Sequence, residues 1–308
     1  MGSKGEILKI LRAEKGVVSG ASLSDQLGIS RVSIWKHIHQ LQQHGYYIQA
    51  TAKGYQLDGD IDALHPWEFP EREDHIHYFK QVNSTMEIAR DMARKGCPHF
   101  SIIIADRQRQ GRGRLKRRWL SDSGGLYFTV VLRPLIPPVF SPRINLCASL
   151  TLARVLESAF GVPAAVKWPN DVLVGDKKIS GMLSEMEAEA DRVTYINVGV
   201  GINVNNDPSA RELGAVSLKK ILDRRVSRKN LLARFLDAFE NSLAEPGFED
   251  VIAEWKRYTV TLKRHVKIVT LHEELEGEAV DVDENGSLIL RLSDGSLKTV
   301  LYGDCFHL

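Results

Sequence analysis

Between residues 100 and 205 the chain is mostly a succession of strand-length apolar runs, and this limits the folds open to it more than any other feature. FSIIIAD, LYFTVVLRP, AAVKWPNDVLV, KKISGMLSEMEAE and RVTYINVGVGINVN are rich in β-branched and aromatic residues and bounded by Gly, Pro, Asn and Asp, the signature of strands. Gly175-Asp176 falls between two of them as a hairpin turn. SPRINLCASLTLARVLESAFG interrupts the series with a helical pattern, with Ser141 as cap, Pro142 in the first turn and Gly161 past the end. Further helical patterns lie near 228–243 and 248–257. Strands that arrive in runs, with helices gathered around them, predict an α+β domain on a mixed sheet rather than a regular βαβ series.

The two ends of the chain have different periods. Residues 1–57 carry helical apolar stripes: Ile7, Leu8 and Leu11, then Leu23 and Leu27, then Ile34, Ile38 and Leu41. Gly28-Ile29-Ser30 breaks the pattern, Ser30 is placed to cap the next helix, and Gly45 suits its end. YYIQATAKGYQL then reads as two short strands around Lys53-Gly54. Two helices joined by a tight glycine turn and followed by a hairpin predict a winged helix-turn-helix. Residues 261–308 hold four or five short strands separated by turns such as Glu284-Asn285-Gly286, which predicts a small SH3-like β barrel. The expected organisation is therefore multidomain α+β: a winged helix-turn-helix over 1–60, an acidic, proline-containing linker over 61–74, a catalytic-type domain over 75–260, and a barrel over 261–308.

Composition narrows the function classes. With 43% apolar and 26% charged residues over 308 positions, the chain reads as an ordinary soluble protein. A net charge of +2 excludes a whole-molecule polyanion binder, so basic character must act locally. Cys97, Cys147 and Cys305 are widely spaced, which argues against a disulfide framework or a zinc site and points to a reducing cytoplasm. The N-terminus lacks a signal-peptide core, and no apolar run approaches the roughly 20 residues a membrane helix needs.

In the N-terminal unit the residues placed to meet DNA are Ser30, Arg31, Ser33 and Lys36 at the start of the second helix of the motif, with Trp35 beside them and Lys53 on the hairpin. The excess of cations here is mild, and a protein–protein module is the alternative reading.

RQGRGRLKRRWLSDSGG, residues 109–125, carries the strongest local charge: residues 107–118 hold seven Lys/Arg. Such a run also suits a solvated or nucleic-acid-facing segment. Three details point elsewhere. Gly111 and Gly113 leave backbone N–H groups able to approach an anion. The segment joins two strands, where it can act as a lid. Trp119 stands at its end, available to stack on a flat ring. The Walker pattern is absent, and VGVGIN lacks the third glycine of a dinucleotide fingerprint.

Two further clusters complete the set. In KWPNDVLVGDKKISG, Pro169 stiffens a turn that presents Asn170 and Asp171. Lys177 and Lys178 must face opposite ways on their strand, so one of the two can enter a site; surface lysines on a hairpin are the competing reading. In NSTMEIARDMA, Ser84 and Glu87 have the spacing of a helix capping box, although a hydroxyl there can also bind a polar ligand.

GRGR followed by R-x-W, KWPND with KKISG after it, NST before a helix, and VGVGINVN occur together and in this order. On these motifs the chain resembles the biotin–protein ligases, and with the N-terminal winged helix it is similar to those that double as biotin operon repressors. The resemblance implies activation of the biotin carboxylate by MgATP, retention of biotinyl-5′-AMP, and transfer to a lysine of a biotin carboxyl carrier protein. It further implies operator DNA as a partner and a homodimer formed on binding the adenylate.

By motif, the biotin-binding set would be Ser84, Thr85, Met86, Gln108, Gly111, Arg112, Gly113, Arg114, Lys178 and Gly181. The ATP-binding set would be Arg114, Arg117, Trp119, Asn170, Lys178 and Asn203. Lys178, Arg112, Arg114 and Asp171 would carry the chemistry, with Asp171 taking the acceptor amine's proton and Mg2+ arriving with ATP rather than on protein ligands. The chain departs from the family pattern at Met86, where Asn is common, at Lys116, and at the Gly303-Asp304 pair near its end. A biotin-sensing regulator with weak catalysis and a ligase without operator binding are the alternatives.

Overall fold

The computed structural model describes residues 2–14, 16–244 and 249–308; position 248, the start of the helix expected over 248–257, lies outside them. The chain divides into two units, Met1–Ile76 and His77–Leu308.

The first unit contains α1 (Ser3–Glu14), α2 (Gly20–Leu27) and α3 (Arg31–Gln43), then a hairpin of β1 (Ile48–Thr51) and β2 (Gly54–Leu57). Ser19 caps α2, its Oγ accepting from the Ser22 N–H at 3.0 Å. Gly28 ends that helix with φ +65°, and Ser30 caps α3 by accepting from the Ser33 N–H at 3.1 Å. Ile7, Leu8, Leu11, Leu23, Ile34, Ile38 and Leu41 form one buried cluster, so the apolar stripes expected from the sequence meet in a common core.

The acidic stretch expected to act as a linker carries local structure of its own. Pro66–Glu68 and Pro70–His75 are short 3-10 helices, and Leu64 and Phe69 are buried. The Tyr46 hydroxyl donates to Glu68 at 2.5 Å and accepts from Trp67 Nε1 at 3.0 Å. Arg12 pairs with Glu68 at 2.8 Å and with Asp60 at 2.6 Å. These 3-10 helices, of three and six residues, have three residues per turn and are too short to print an α-helical period, which gives the stretch its irregular pattern.

The second unit is built on a seven-stranded sheet of order β3-β4-β5-β9-β8-β7-β6. Its elements in chain order are β3 (Ile76–Phe79), α4 (Thr85–Arg94), β4 (Ser101–Ala105), β5 (Leu126–Leu132), α5 (Ser141–Phe160), β6 (Ala165–Lys167), β7 (Asp171–Val174), β8 (Lys177–Glu189) and β9 (Arg192–Ile202). From β4 across to β6 every pairing is antiparallel. Strands β4 and β5 are buried along their whole length, which explains their continuous apolar runs.

Strand alternation separates two faces. Thr129 and Val131 meet α4, while Phe128 packs edge-on against Phe235 of α7 (Arg228–Ala244), which follows the short α6 (Leu218–Leu222). Helix α5 packs against α7 and α8 (Glu249–Tyr258). Ser141 is not the cap of α5. It already has helical angles, the cap position belongs to Phe140, and no side chain caps that end. Gly161 closes the helix with φ +65° as its position suggested.

The C-terminal residues form a five-stranded antiparallel sheet, β10 (His265–Val269), β11 (Glu274–Val282), β12 (Leu288–Arg291), β13 (Leu297–Val300) and β14 (Asp304–His307). Its order is β13-β12-β11-β10-β14, a ladder that is open between β13 and β14 among the described residues. No described helix is long and apolar enough to cross a membrane.

Candidate functional site

The floor of the site is made of glycine. A Cβ on Gly199 would lie 2.6 Å from Met86 Sδ, and one on Gly201 would lie 2.4 Å from Trp119 Nε1. Two glycines at period two on β9 therefore clear one face of the sheet, so that Met86 and Trp119 can lie against it. Sequence reasoning placed VGVGIN as a motif but did not find this role; the period-two spacing within a strand was the signal.

Helix α4 enters over this floor. The Thr85 N–H and hydroxyl both donate to Gln108 Oε1, at 2.8 and 3.1 Å. Thr129 Oγ1 donates to Thr85 Oγ1 at 2.8 Å, and Gln108 Nε2 donates to Ser121 Oγ at 2.9 Å. This network locks one wall. Ser84 occupies the cap position but makes no cap hydrogen bond, and its buried hydroxyl has no partner among the described residues. The capping box does not form, and the Glu87 carboxylate pairs with Arg112 at 2.5 Å.

The glycine–arginine loop covers the floor as a narrow hairpin. The Trp119 N–H donates to the Gly111 carbonyl at 2.9 Å, and the Gly113 N–H donates to the Arg117 carbonyl at 2.8 Å. The Gly113 N–H is thus spent inside the loop, and the expected anion nest does not include it. A Cβ on Gly111 would lie 2.5 Å from the Trp119 carbonyl, so the glycine serves close approach of the two limbs.

The cations converge from separate elements. Arg112 also reaches Glu185 at 3.7 Å. Arg114 Nη1 donates to the Gly303 carbonyl at 3.1 Å, and Arg117 pairs with Asp304. The departure at Gly303-Asp304 therefore contributes a carbonyl and a carboxylate that hold two loop arginines. Burial pushes the Arg114 pKa down and Arg117 adds to this, while Asp171 opposes it; displacing water from a guanidinium costs least when an anion takes its place. Lys178 Nζ lies 2.8 Å from Asp171 and 5.3 Å from the centre of the Trp119 ring. Lys177 is exposed, as strand alternation required.

Ser84, Thr85, Met86, Gln108, Arg112, Gly113, Arg114, Arg117, Trp119, Asn170, Asp171, Lys178 and Gly181 line one pocket. Gly111 and Asn203 do not line it: Gly111 is inside the loop hairpin, and Asn203 Oδ1 accepts from Asn206 Nδ2 at 2.8 Å. Asn170 Nδ2 is committed to the Met182 carbonyl. Asp304 and Glu212, neither expected, border the same pocket.

The feet of the loop are held by Arg228, which no sequence motif marks. Arg228, at the start of α7, donates to Asp106 at 3.0 Å and to the Gly125 carbonyl at 3.3 Å. Asp106 ends the approach from β4, Gly125 opens β5, and the Tyr78 hydroxyl donates to the other Asp106 oxygen at 2.5 Å. Both the burial of Tyr78 and its bond to Asp106 push its phenol pKa up.

In the N-terminal unit, Arg31, Lys36 and Lys53 are exposed. Arg31 and Lys53 line one groove with Val32, Trp35 and Tyr55. Ser30 and Ser33 are tied to each other, their hydroxyl oxygens 3.0 Å apart.

Residues 78–203 match the Biotin/lipoate A/B protein ligase family, residues 5–56 an HTH domain, and residues 261–308 the Biotin protein ligase C terminal domain. The chain is 33% identical over 301 residues to the bifunctional ligase/repressor BirA of Bacillus subtilis, covering 91% of each chain. It is 28% identical to the protein of the same name from Escherichia coli, over 93% of this chain and 91% of that one. Among solved structures it resembles the biotin protein ligase of Aquifex aeolicus in complex with biotin and ATP, with a TM-score of 0.65 and 30% identity, over 75% of this chain and 97% of that one.

Proposed function

Since this chain belongs to the family of bifunctional biotin ligase/repressors, we propose that its central pocket joins biotin to AMP and passes the biotinyl group to a lysine of a biotin carboxyl carrier protein. The protein is an ATP-dependent biotin–protein ligase and a DNA-binding repressor. The observation that carries the catalytic reading is one pocket in which Arg112, Arg114, Lys178 and a buried, unpartnered Ser84 hydroxyl face a glycine-cleared sheet.

The first step brings a carboxylate to an α-phosphate, two anions that repel. Arg114 and Lys178 offset that repulsion and stabilise charge that grows in the transition state. Lys178 is already oriented by Asp171, so it needs little reorganisation. Ser84, Thr85 and Gln108 present hydroxyl and amide groups suited to the polar edge of the biotin ring, and Met86 adds an apolar wall. Trp119 offers its face to adenine, with Arg117 toward the phosphates. Asn170 assists at the nucleotide through its remaining amide oxygen.

The mixed anhydride hydrolyses readily, and a loop pinned at its feet by Arg228 and at its tip by Gly303 and Asp304 keeps water from it. In the second step the acceptor amine attacks the biotinyl carbonyl, the acyl–phosphate bond breaks, and AMP leaves. Asp171 receives the amine's proton while Lys178 remains on the leaving phosphate.

The pocket's donors are guanidinium, ammonium and amide groups, and of its carboxylates Asp171 is paired with Lys178 and Asp304 with Arg117. Such a set fits phosphate oxygens better than a bare divalent ion, so Mg2+ would come with ATP and supply charge neutralisation there, while Arg114, Arg117 and Lys178 hold the phosphates. The open five-stranded sheet, with its bulge between Ala279 and Asp281, is read as an SH3-like barrel. Domain limits near 60, 75 and 261, cytoplasmic residence and adenylate-promoted dimerisation complete the proposal.

Incubation with biotin, MgATP and an acceptor domain tests it. The acceptor is expected to gain one biotinyl group by mass, with pyrophosphate released. An unmodified acceptor and no pyrophosphate would overturn the ligase reading.

A further inference from the structure

Helix α3 leaves two large apolar side chains in solvent where it would be expected to be polar. Val32 is 63% and Trp35 56% exposed, while Ile34, Ile38 and Leu41 on the opposite face supply the core. Neither exposed residue is needed for the fold. The Trp35 ring lies flat on His39, with centroids 5.6 Å apart and planes within 2°, so its orientation is set before a partner arrives. Val32 and Trp35 open onto a groove between α3 and the β1–β2 hairpin, in which Arg31 and Lys53 stand and no carboxylate appears. The Ser30 and Ser33 hydroxyls are bonded to each other, and Ser30 also accepts from the Ser33 N–H.

We propose that Val32 and Trp35 read thymine in the major groove through its C5-methyl group, with Arg31 and Lys53 on the flanking phosphates. This deepens, and rests on, the repressor reading of the N-terminal unit. Among the base edges of the major groove, the thymine methyl is the one apolar group. An apolar pair at the front of the reading helix gains from burial there, while elsewhere on the duplex it meets only polar edges and phosphates. The cations give affinity without sequence preference, and the apolar pair gives the preference.

The test uses the full chain with biotin and MgATP present. Preferred duplexes are selected from a randomised pool, and each thymine is then replaced in turn by deoxyuridine, which lacks only the methyl group. Binding is followed by fluorescence anisotropy. At one or two positions per half-site, the loss of one buried methyl is expected to weaken binding about fourfold. Val32→Ser and Trp35→Ser, both at exposed positions, are each expected to abolish that sensitivity at one position while thermal melting stays unchanged. Selective binding that ignores every deoxyuridine overturns the methyl contact alone. Sensitivity that persists in both variants overturns its assignment to this pair. Absence of any sequence-selective binding overturns the repressor reading, and this inference with it.

Discussion

Ser84 is buried at the start of α4 with its hydroxyl unpartnered among the described residues, and an arrangement of that kind costs stability unless a ligand completes it. Ser84→Ala should therefore act with opposite signs on the two quantities that can be measured. Biotin affinity is expected to fall about 5- to 30-fold, the worth of one buried hydrogen bond at roughly 1–2 kcal/mol, while the melting temperature of the free protein holds or rises. Titration calorimetry and thermal melting read the two effects; an unchanged biotin Kd would remove Ser84 from the site. Lys178→Met is the complementary case. It deletes charge at the reacting phosphate, and a loss of about 10²–10³ in kcat for pyrophosphate release is expected, against which a near-normal rate would argue. Both residues were visible in the sequence, each beside a plain structural reading. Geometry separates their placements: Glu87 pairs with Arg112, and Lys178 lines the pocket where Lys177 is exposed. Gly199 and Gly201 were harder to read, because an absent side chain shows its purpose only once Met86 and Trp119 are seen above it.

At the scale of elements, strands, hairpins and the long helix were legible because each has a local period or a bounding turn. The contacts that hold the glycine–arginine loop were not, since they come from far along the chain. Arg228 reaches Asp106 across 122 positions, and Gly303 reaches Arg114 across 189. Arg228→Ala should free the loop's feet: loss of the bound adenylate is expected to speed up about tenfold, roughly what one charge-assisted hydrogen bond contributes, with Arg228→Lys recovering part of it. Filter-binding of labelled adenylate measures this, and wild-type retention in Arg228→Ala would mean that the clamp is idle. Strand β14 adds a pH dependence of its own. Burial, followed by Lys167 and Arg264, lowers the His307 pKa from 6.5 to about 4. As pH falls, the unfolded chain takes up this proton first, so the stability associated with neutral His307 is complete above about 6.5 and lost towards about 4. His307→Gln should flatten the melting temperature across that window, whereas an unaltered slope would assign the dependence to other groups.

At the scale of the whole molecule, the proposed adenylate-promoted dimer would let one ligand serve two activities, and thermodynamic linkage would then tie their strengths together. A helix-turn-helix reads two half-sites well when two copies are paired, because the second contact becomes intramolecular once the first is made. If the adenylate favours the dimer, it must favour paired DNA binding. By reciprocity the dimer must then hold the adenylate more tightly by the same factor, with couplings of this kind typically about 5- to 150-fold. On that proposal, an acceptor protein that consumes the adenylate would remove the ligand that favours pairing, and biotin demand and DNA occupancy would move in opposite directions without any further regulator. The expected result in sedimentation at micromolar protein is a shift toward dimer on adding biotin and MgATP, and a return toward monomer when acceptor domain is added in excess. Anisotropy on a duplex with two half-sites should show affinity rising by a comparable factor in the first condition and falling in the second. A chain that stays monomeric throughout, yet binds the duplex equally well with and without biotin and MgATP, would separate the two activities and leave the ligase reading standing alone.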